Sequence, residues 1–522
     1  MKIRFAPLVA VLALTAVAQP AHLGLIDFPT SGSKEAQQHF IQGVLLLHSF
    51  EYADSREEFQ TASKLDSGFA MAYWGEALTY THPVWVEQDA PAARAVLQRL
   101  APTAEARSAK APTRREKDYL QTVEILYGDG DKVSRDIAYA DAMGRLMKKY
   151  PDDLEAASLY AVALLGTCQS ERQYPVYMRA AAVAEEVFAK NPQHPGAIHY
   201  LIHAYDDPVH APLGLRAARV YADVAGSASH AQHMPSHIFF ALGMWDDVVS
   251  ANIRSVAVAD ERIKRKGLGP DQRNTHSLLW LEYAYLQEGR YPEARAVLAD
   301  VVGSGVMRGL SMMKAVYALE TGKMDDTLDL AAMSRTPMLL QSVAPLNGYG
   351  LVALRNGRLD DARSAFDAIK KRLASSGQAP AESQHENTNH SMSMRTESPA
   401  DRRTAEIMMQ QLQAELWLAE GKQEQALQLL AQTTAEEDAL SFEFGPPIPI
   451  KPAHELYAEV LLAAHRPKEA RDEFQRALAR APKRAQSLLG LAKAAAASGD
   501  PEVSRSAGED LKSFWRADMI KP

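Results

Sequence analysis

Cysteine is almost absent from this sequence. Cys168 is the only one in 522 residues, so an intrachain disulfide is impossible. Its surroundings, LLGTCQSE, offer neither a helix start nor basic neighbours that would activate the thiol. We therefore expect a buried, inert thiol rather than a nucleophile.

Long hydrophobic runs are missing beyond the first residues. A charged start with Lys2 and Arg4, an apolar run at 8–17 and small residues at 16 and 18 are typical of a secretory signal. The run is too short for a comfortable membrane span. The sequence thus predicts a signal peptide at 1–18 and an exported bacterial protein, periplasmic or extracellular. No stable membrane insertion is expected after signal removal, and an uncleaved anchor is the alternative.

A surplus of positive charge is missing as well. The formal net charge is −8, and no stretch of the chain is strongly basic, which makes nucleic acid a poor candidate partner. Hydrophobic residues make up 47% and charged residues 23%, as in ordinary soluble proteins. The length exceeds that of a single core, so several domains or a repeat array are expected.

The common catalytic motifs are also absent. The sequence contains no phosphate loop, no dinucleotide fingerprint, no G-x-S-x-G and no C-x-x-C. It also lacks H-E-x-x-H, so zinc-protease chemistry of that type is unsupported. Whether the chain is an enzyme is left open by the sequence.

Strand signals are nearly absent, and apolar residues recur at helical spacing with breaks every 12 to 20 residues. EGRYPEARAVL, GKQEQALQLL and HRPKEARDEFQRALARAP share one form, a turn followed by Ala and then a large apolar residue. This is the pattern of the tetratricopeptide repeat, a helical hairpin of about 34 residues. It predicts an all-α solenoid in which each hairpin buries its apolar face against its neighbours.

Small and bulky residues at fixed positions of this pattern show where each repeat begins, which defines the repeat frame. The last clear repeat starts at Lys451 and the first near Ala36, with Phe474 and Phe59 at the bulky position of each. We predict an N-terminal tetratricopeptide array at 34–372 and C-terminal repeats at 403–516, wound as a right-handed superhelix.

A polar segment separates the two parts, and we predict a flexible linker at 373–402. It is rich in Ser, Gln and Asn and lacks periodicity. Its HSMSM, with His390, Met392 and Met394, has side chains that suit a soft metal such as Cu(I). A solvated linker is favoured because a flexible segment loses entropy when it orders around an ion.

Histidines are concentrated in the middle of the chain, in HPGAIHYLIHAYDDP and SHAQHMPSHIF. In the repeat frame they fall on positions 2, 5 and 9 of successive first helices, with one carboxylate at position 12. First helices lie side by side in such folds, and these positions line the concave groove. Chance would place fewer than one of the 16 histidines there. The predicted groove cluster is His199, His203, Asp206, His230, His233, His237 and His276.

Clustered imidazoles with a carboxylate are ligands for Zn, Fe, Ni or Cu(II). An H-x-x-x-H pair on one helix puts two ring nitrogens within reach of one ion. The set fits one site with ligands to spare or two sites of three ligands each. The alternative is a row of histidines hydrogen-bonded to the backbone and to each other. Metal is favoured because packed imidazoles need a cation or acceptors.

Several stretches resemble a family of bacterial tetratricopeptide proteins, above all HPGA-x-HY-x-IHA and HMPSHI. The resemblance extends to the opening FIQGVLLLHSFEYADSREEF and the closing KPAHELYAEVLL. It implies an α-solenoid with the six histidines as family features, but no particular activity. Where the family commonly has Glu this chain has Asp206, and where it often has Asn-His this chain has Glu51-Tyr52, so a role there is lost.

Three functions compete. The first is an exported protein with a divalent transition metal (Zn, Cu or Fe) in its groove. The second is an interaction scaffold whose groove binds a protein or peptide without metal. The third is a metal-dependent hydrolase with Asp206 as base, or an oxidase on the six histidines.

Overall fold

The computed structural model describes residues 22–169, 171–324, 327–375, 397–442 and 444–517. The predicted signal at 1–18 lies outside these ranges. So do 376–396 of the predicted linker, with HSMSM. Among the residues described, no helix has both the length and the apolar character needed to span a lipid bilayer.

Helices dominate the first half of the chain, as the sequence predicts. They are α1 (Lys34–His48), α2 (Tyr52–Leu65), α3 (Ala70–Leu78), α4 (Ala90–Leu100), α5 (Ala104–Lys110), α6 (Arg114–Leu126), α7 (Lys132–Lys149), α8 (Leu154–Gly166), α9 (Tyr174–Lys190), α10 (Pro195–Ala204), α11 (Ala211–Val224), α12 (Ser229–His233) and α13 (Pro235–Ala241). One two-stranded hairpin, β1 (Thr81–His82) with β2 (Glu87–Gln88), interrupts them after α3.

The second half continues in the same way. Its helices are α14 (Trp245–Lys266), α15 (Thr275–Gln287), α16 (Tyr291–Gly303), α17 (Leu310–Thr321), α18 (Leu330–Ser334), α19 (Leu339–Arg355), α20 (Leu359–Ser375), α21 (Pro399–Ala419), α22 (Gln423–Asp438), α23 (Ala453–Ala463), α24 (Pro467–Arg480), α25 (Ala485–Ser498) and α26 (Pro501–Phe514). The predicted linker at 373–402 is too wide at both ends. α20 continues to Ser375, and a capping box with Ser398 starts α21 at Pro399.

Close packing of a bulky residue on glycine joins the two helices of a hairpin. A Cβ added to Gly43 of α1 would lie 2.7 Å from the Phe59 ring of α2, so only glycine fits there. Phe59 also packs on Gly75 of α3, and Phe474 of α24 packs in this second way on Gly490 of α25, the first helix of the next repeat. Phe59 and Phe474 are the bulky positions of the predicted frame, which the packing therefore confirms at both ends of the solenoid.

The superhelix closes on itself, which repeat periodicity does not predict. In the N-terminal part, α1 contacts α10. Between the N-terminal array and the C-terminal repeats, Trp245 donates from Nε1 to the carbonyl of Lys483 at 3.0 Å. The guanidinium of Arg484 donates to the hydroxyl of Tyr283 at 2.6 Å. The inner faces of α10, α12 and α13 are consequently enclosed.

Candidate metal centre

Six of the seven predicted residues come together as two groups of three histidines. The first histidine group is His199, His203 and His230, and the second histidine group is His233, His237 and His276. Within each group, one ligand atom from every residue lies within 4.8 Å of the others. Helix α10 provides two of these residues, α12 two, and α13 and α15 one each. The four-residue spacing places His199 and His203 on one face of α10, as predicted, whereas His233 and His237 lie on two successive short helices.

The hydrogen bonds of the second histidine group fix its tautomers. Asn252 donates from its amide nitrogen to the carbonyl of Val248, which leaves its oxygen 2.7 Å from Nδ1 of His233. Nδ1 of His237 faces the carboxylate of Asp206 at 2.5 Å. Since both Nδ1 atoms face acceptors, both carry a proton. The two Nε2 atoms lie 3.1 Å apart, and with both rings neutral they present lone pairs to each other.

The first histidine group also contains hydrogen-bonded imidazoles. Nδ1 of His199 donates to the carbonyl of His48 at 2.6 Å, so its Nε2 is an acceptor. That Nε2 lies 3.2 Å from Nε2 of His230. Nε2 of His203 is buried and has no hydrogen-bond partner among the described residues. His203 thus places in this group a ring nitrogen that needs a cation or another hydrogen-bond partner.

Asp206 does not join either group, and its role as a ligand stays a prediction. Helix α10 ends at Ala204, and Asp206 therefore lies beyond the face that carries His199 and His203. Its carboxylate contacts the far side of the His237 ring instead. Carboxylates in this position orient a ligating imidazole and raise its basicity. Because it is engaged there, Asp206 is also poorly placed to act as the base of a hydrolase.

The histidines are buried rather than exposed on an open groove, with one exception. His199 and His233 are fully buried, whereas His276 is exposed. Burial lowers the pKa of His199 to about 3 and that of His203 well below its usual value. Both imidazoles are therefore neutral at ordinary pH, which is the form that binds metal ions.

Aromatic rings from distant parts of the chain enclose the site. The Phe50 ring lies 4.2 Å from the His199 ring between centroids, and its backbone is held at φ 55°, a rare conformation for a bulky residue. The ring centroids of Trp280 and Phe444 lie 4.5 and 5.2 Å from that of His237. A cavity of about 90 Å³, lined in part by Asp206 and Phe444, borders this side.

Glu51, at a position where the sequence predicts no role, also lies in this region. Its carboxylate accepts a hydrogen bond from the backbone N–H of His230 at 3.1 Å. Burial raises the pKa of Glu51 to about 7. Glu51 therefore places an ionisable group beside the first histidine group.

A third group, His48, Glu155 and His194, is fully buried and was missed from the sequence. Nε2 of His48 donates to Glu155 at 2.7 Å, and its Nδ1 accepts from the hydroxyl of Tyr200 at 2.9 Å. Nδ1 of His194 accepts from the backbone N–H of Ala197, which directs the protonated Nε2 towards Glu155 at 3.0 Å. Burial opposes ionisation of Glu155, yet the two histidines hold the pKa of its carboxyl below its usual range. Nε2 of His194 and Oε1 of Glu155 are buried and form no hydrogen bond with the described residues in this geometry, although they lie 3.0 Å apart.

Cys168 is buried, and burial raises the pKa of its thiol. Both observations agree with the inert thiol expected from the sequence.

Two segments of the chain, 342–379 and 458–518, match the sequence profile of the tetratricopeptide repeat family. The predicted fold class, an all-α tetratricopeptide solenoid, is confirmed. The finer resemblance to a bacterial family with HPGA-x-HY-x-IHA and HMPSHI stays a prediction. No curated protein matches the chain.

Solved structures of helical repeat proteins are similar to the chain over most of its length. The Cut9–Hcn1 hetero-tetramer of APC/C is 8% identical, with 93% of this chain and 75% of that chain covered and a TM-score of 0.35. Human IFIT1, as a dimer with m7Gppp-AAAA, is 12% identical, with 93% and 91% covered and a TM-score of 0.34. Yeast Tom70 is 12% identical, with 93% of both chains covered and a TM-score of 0.28. Similarity at this level says nothing about function.

Proposed function

We propose that this protein is an exported tetratricopeptide-repeat protein that binds divalent transition metal ions, Zn, Cu or Fe, through its two histidine groups. The single observation behind the proposal is the pair of Nε2 atoms on His233 and His237. Two acceptors 3.1 Å apart in a buried site repel each other unless a cation lies between or beside them. An ion bound by both nitrogens removes this conflict.

A shared proton is the simplest competitor to a metal ion. A proton on His237, balanced by Asp206, would satisfy the pair in the second histidine group. It would leave Nε2 of His203 in the first histidine group as it is, buried and without a partner. An ion in each group satisfies both observations, which favours metal.

A protein-interaction scaffold is the second candidate, and the repeat fold itself favours it, since such solenoids commonly bind partners on concave surfaces. The enclosure by Phe50 and Phe444 argues against a peptide in contact with the histidines. A partner would instead bind elsewhere on the solenoid. An enzymatic role, hydrolase or oxidase, requires in addition an open coordination position, for which the exposed His276 marks the accessible side.

Calorimetric titration of the tag-free mature chain with Zn²⁺ tests the proposal. We expect saturable binding that His237→Ala reduces at least tenfold in affinity, with helical circular dichroism measured in parallel. His465→Asn is the matched control, because His465 is exposed at φ 59° and asparagine tolerates that conformation. Binding that is absent in the wild type, or equal in both variants, would contradict the proposal.

Export is proposed from the pattern at 1–18 alone. Fractionation of the native host, with mass spectrometry of the mature N-terminus, tests it. Cleavage at the small residues near 18 and recovery outside the cytoplasm are expected, and an intact N-terminus in the cytoplasm would contradict it.

A further inference from the structure

The two histidine groups are not separated by any break in the row of rings. Within the groups, ring centroids lie between 4.6 and 6.4 Å apart. Between the groups, His203 and His237 are 5.8 Å apart, and His230 and His233 are 6.2 Å apart. The distances across the boundary therefore fall within the range found inside each group.

The helices explain why the groups lie so close together. His230 and His233 are three residues apart on α12, and they belong to different groups. His203 on α10 faces His237 on α13 across the inside of the superhelix. One short helix thus supplies a ligand to each group, so the spacing between the groups is fixed by a single turn of backbone.

We infer that the two groups form one dinuclear centre, in which two metal ions lie close enough to share a small bridging anion. The inference rests on the proposed metal-binding function. It adds the number of ions in the centre and the chemical class of the ligand that bridges them. Two-metal sites in proteins hold their ions about 3.5–4 Å apart, a separation that one small anion spans.

Charge balance identifies the bridging ligand as an anion. All six ligands of the two groups are imidazoles, which are neutral when they bind an ion. Two divalent ions would therefore enter an enclosed region with few negative charges. The carboxylate of Asp206 is hydrogen-bonded to the ligand His237, and that of Glu51 to the backbone of the ligand His230. Buried charge must be compensated, and a hydroxide or similarly small anion does so between the ions.

Access to such a ligand is restricted. Five of the six histidines are buried and only His276 is exposed. The enclosing rings of Phe50, Trp85 and Trp280 offer no charge of their own, and Trp85 lies 5.7 Å from the His230 ring. The centre is thus suited to a small anion that enters beside His276 rather than to a large substrate.

Electron paramagnetic resonance of the Cu²⁺-loaded protein tests the inference. The tag-free mature chain is loaded with two equivalents of Cu²⁺, and bound copper is measured on the same sample. Two ions that share an anion couple magnetically, so we expect the integrated signal to fall well below two spins per chain. In His276→Ala and in His203→Ala we expect one ion to be lost and the signal of the other to rise to about one spin.

The outcomes separate the inference from the proposed function. Two bound ions with a full two-spin signal, or one bound ion only, would overturn the dinuclear centre and leave metal binding intact. No bound ion in a folded wild-type chain would overturn both. His465→Asn controls for effects of histidine replacement away from the site and should behave as the wild type.

Azide is the probe for the anion. Its charge-transfer absorption with Cu²⁺ should saturate at one azide for each pair of ions. Saturation at two azides per pair would show two independent ions and overturn the shared ligand.

Discussion

The carboxylate of Asp206 accepts a hydrogen bond from Nδ1 of His237 at 2.5 Å, and this contact turns Nε2 of the same ring towards His233. A residue expected as a ligand thus determines which nitrogen of its neighbour is available. The consequence is testable, because contacts of this kind typically change metal affinity by about 10–100-fold.

Asp206→Asn should therefore weaken Zn²⁺ binding about 10–100-fold while the helical content stays unchanged. The measurement is a competition titration against a chelating dye. Asp207→Asn is the matched control, because Asp207 contacts His210 and Arg172 instead of the histidine groups. Equal affinities in the two variants would show that Asp206 does not orient a ligand.

The third group should behave as a structural cluster without metal. Glu155→Gln places an amide opposite the donating histidines, which should cost about 1–3 kcal/mol of stability. The metal content per chain should not change. Loss of one ion in this variant, measured by elemental analysis, would show that His48 and His194 also hold metal.

Metal should stabilise the folded chain. A ligand that binds only the folded state adds about 2.7 kcal/mol at a concentration of one hundred times its Kd. We expect the Tm of the wild type to rise with Zn²⁺, and the Tm of His233→Ala to rise less in differential scanning calorimetry, because only the first histidine group is then complete. An equal rise in both would place the stabilising ion elsewhere.

The closure of the superhelix depends on buried ion pairs. Arg484 contacts Glu455 at 2.7 Å and Glu320 at 2.6 Å, and all three are buried. Arg484→Met leaves both carboxylates short of a partner and should cost about 3–5 kcal/mol. Arg505→Met, at an exposed pair with Glu509, should have no measurable effect on the urea midpoint. Similar midpoints for the two variants would contradict a structural role for Arg484.

A pH-dependent contribution is expected from His454. Burial opposes its protonation, but hydrogen bonds to Glu473 and Asp438 raise its pKa overall. A raised pKa in the folded state means that the stabilisation is complete below the unfolded value of about 6.5 and is lost as pH rises through the folded value.

His454→Gln should therefore lower the Tm more at pH 6 than at pH 9.5. The charged hydrogen bonds contribute about 1.5–3 kcal/mol at the lower pH. Thermal unfolding of both proteins at the two pH values measures the difference. A pH-independent difference would show that the charge of His454 contributes nothing.

Repeat periodicity predicted the histidines of the site better than it predicted the residues that surround them. The frame set by Gly, Ala and Pro placed six histidines on one inner face, and the structure brings them into two groups. Counting to position 12 also assumes a helix that extends through Asp206, whereas α10 ends at Ala204. The end of a short helix is decided by local capping, which a repeat pattern does not specify.

Contacts between distant repeats could not be predicted. His48 and Glu155 are 107 residues apart, and His48 and Tyr200 are 152 apart, yet they are hydrogen-bonded. Periodicity describes how a hairpin packs on the next one, whereas these contacts depend on how tightly the whole superhelix curves. For the same reason the enclosure by Phe50 and Phe444, and hence the burial of the histidines, was not expected.

Anomalous diffraction from crystals soaked in Zn²⁺ tests the central claim most directly, because it locates each ion. The account predicts one peak about 2.0–2.1 Å from Nε2 of both His233 and His237, and a second peak among His199, His203 and His230. Peaks only at His48, Glu155 and His194, or no peak between the two Nε2 atoms, would contradict it.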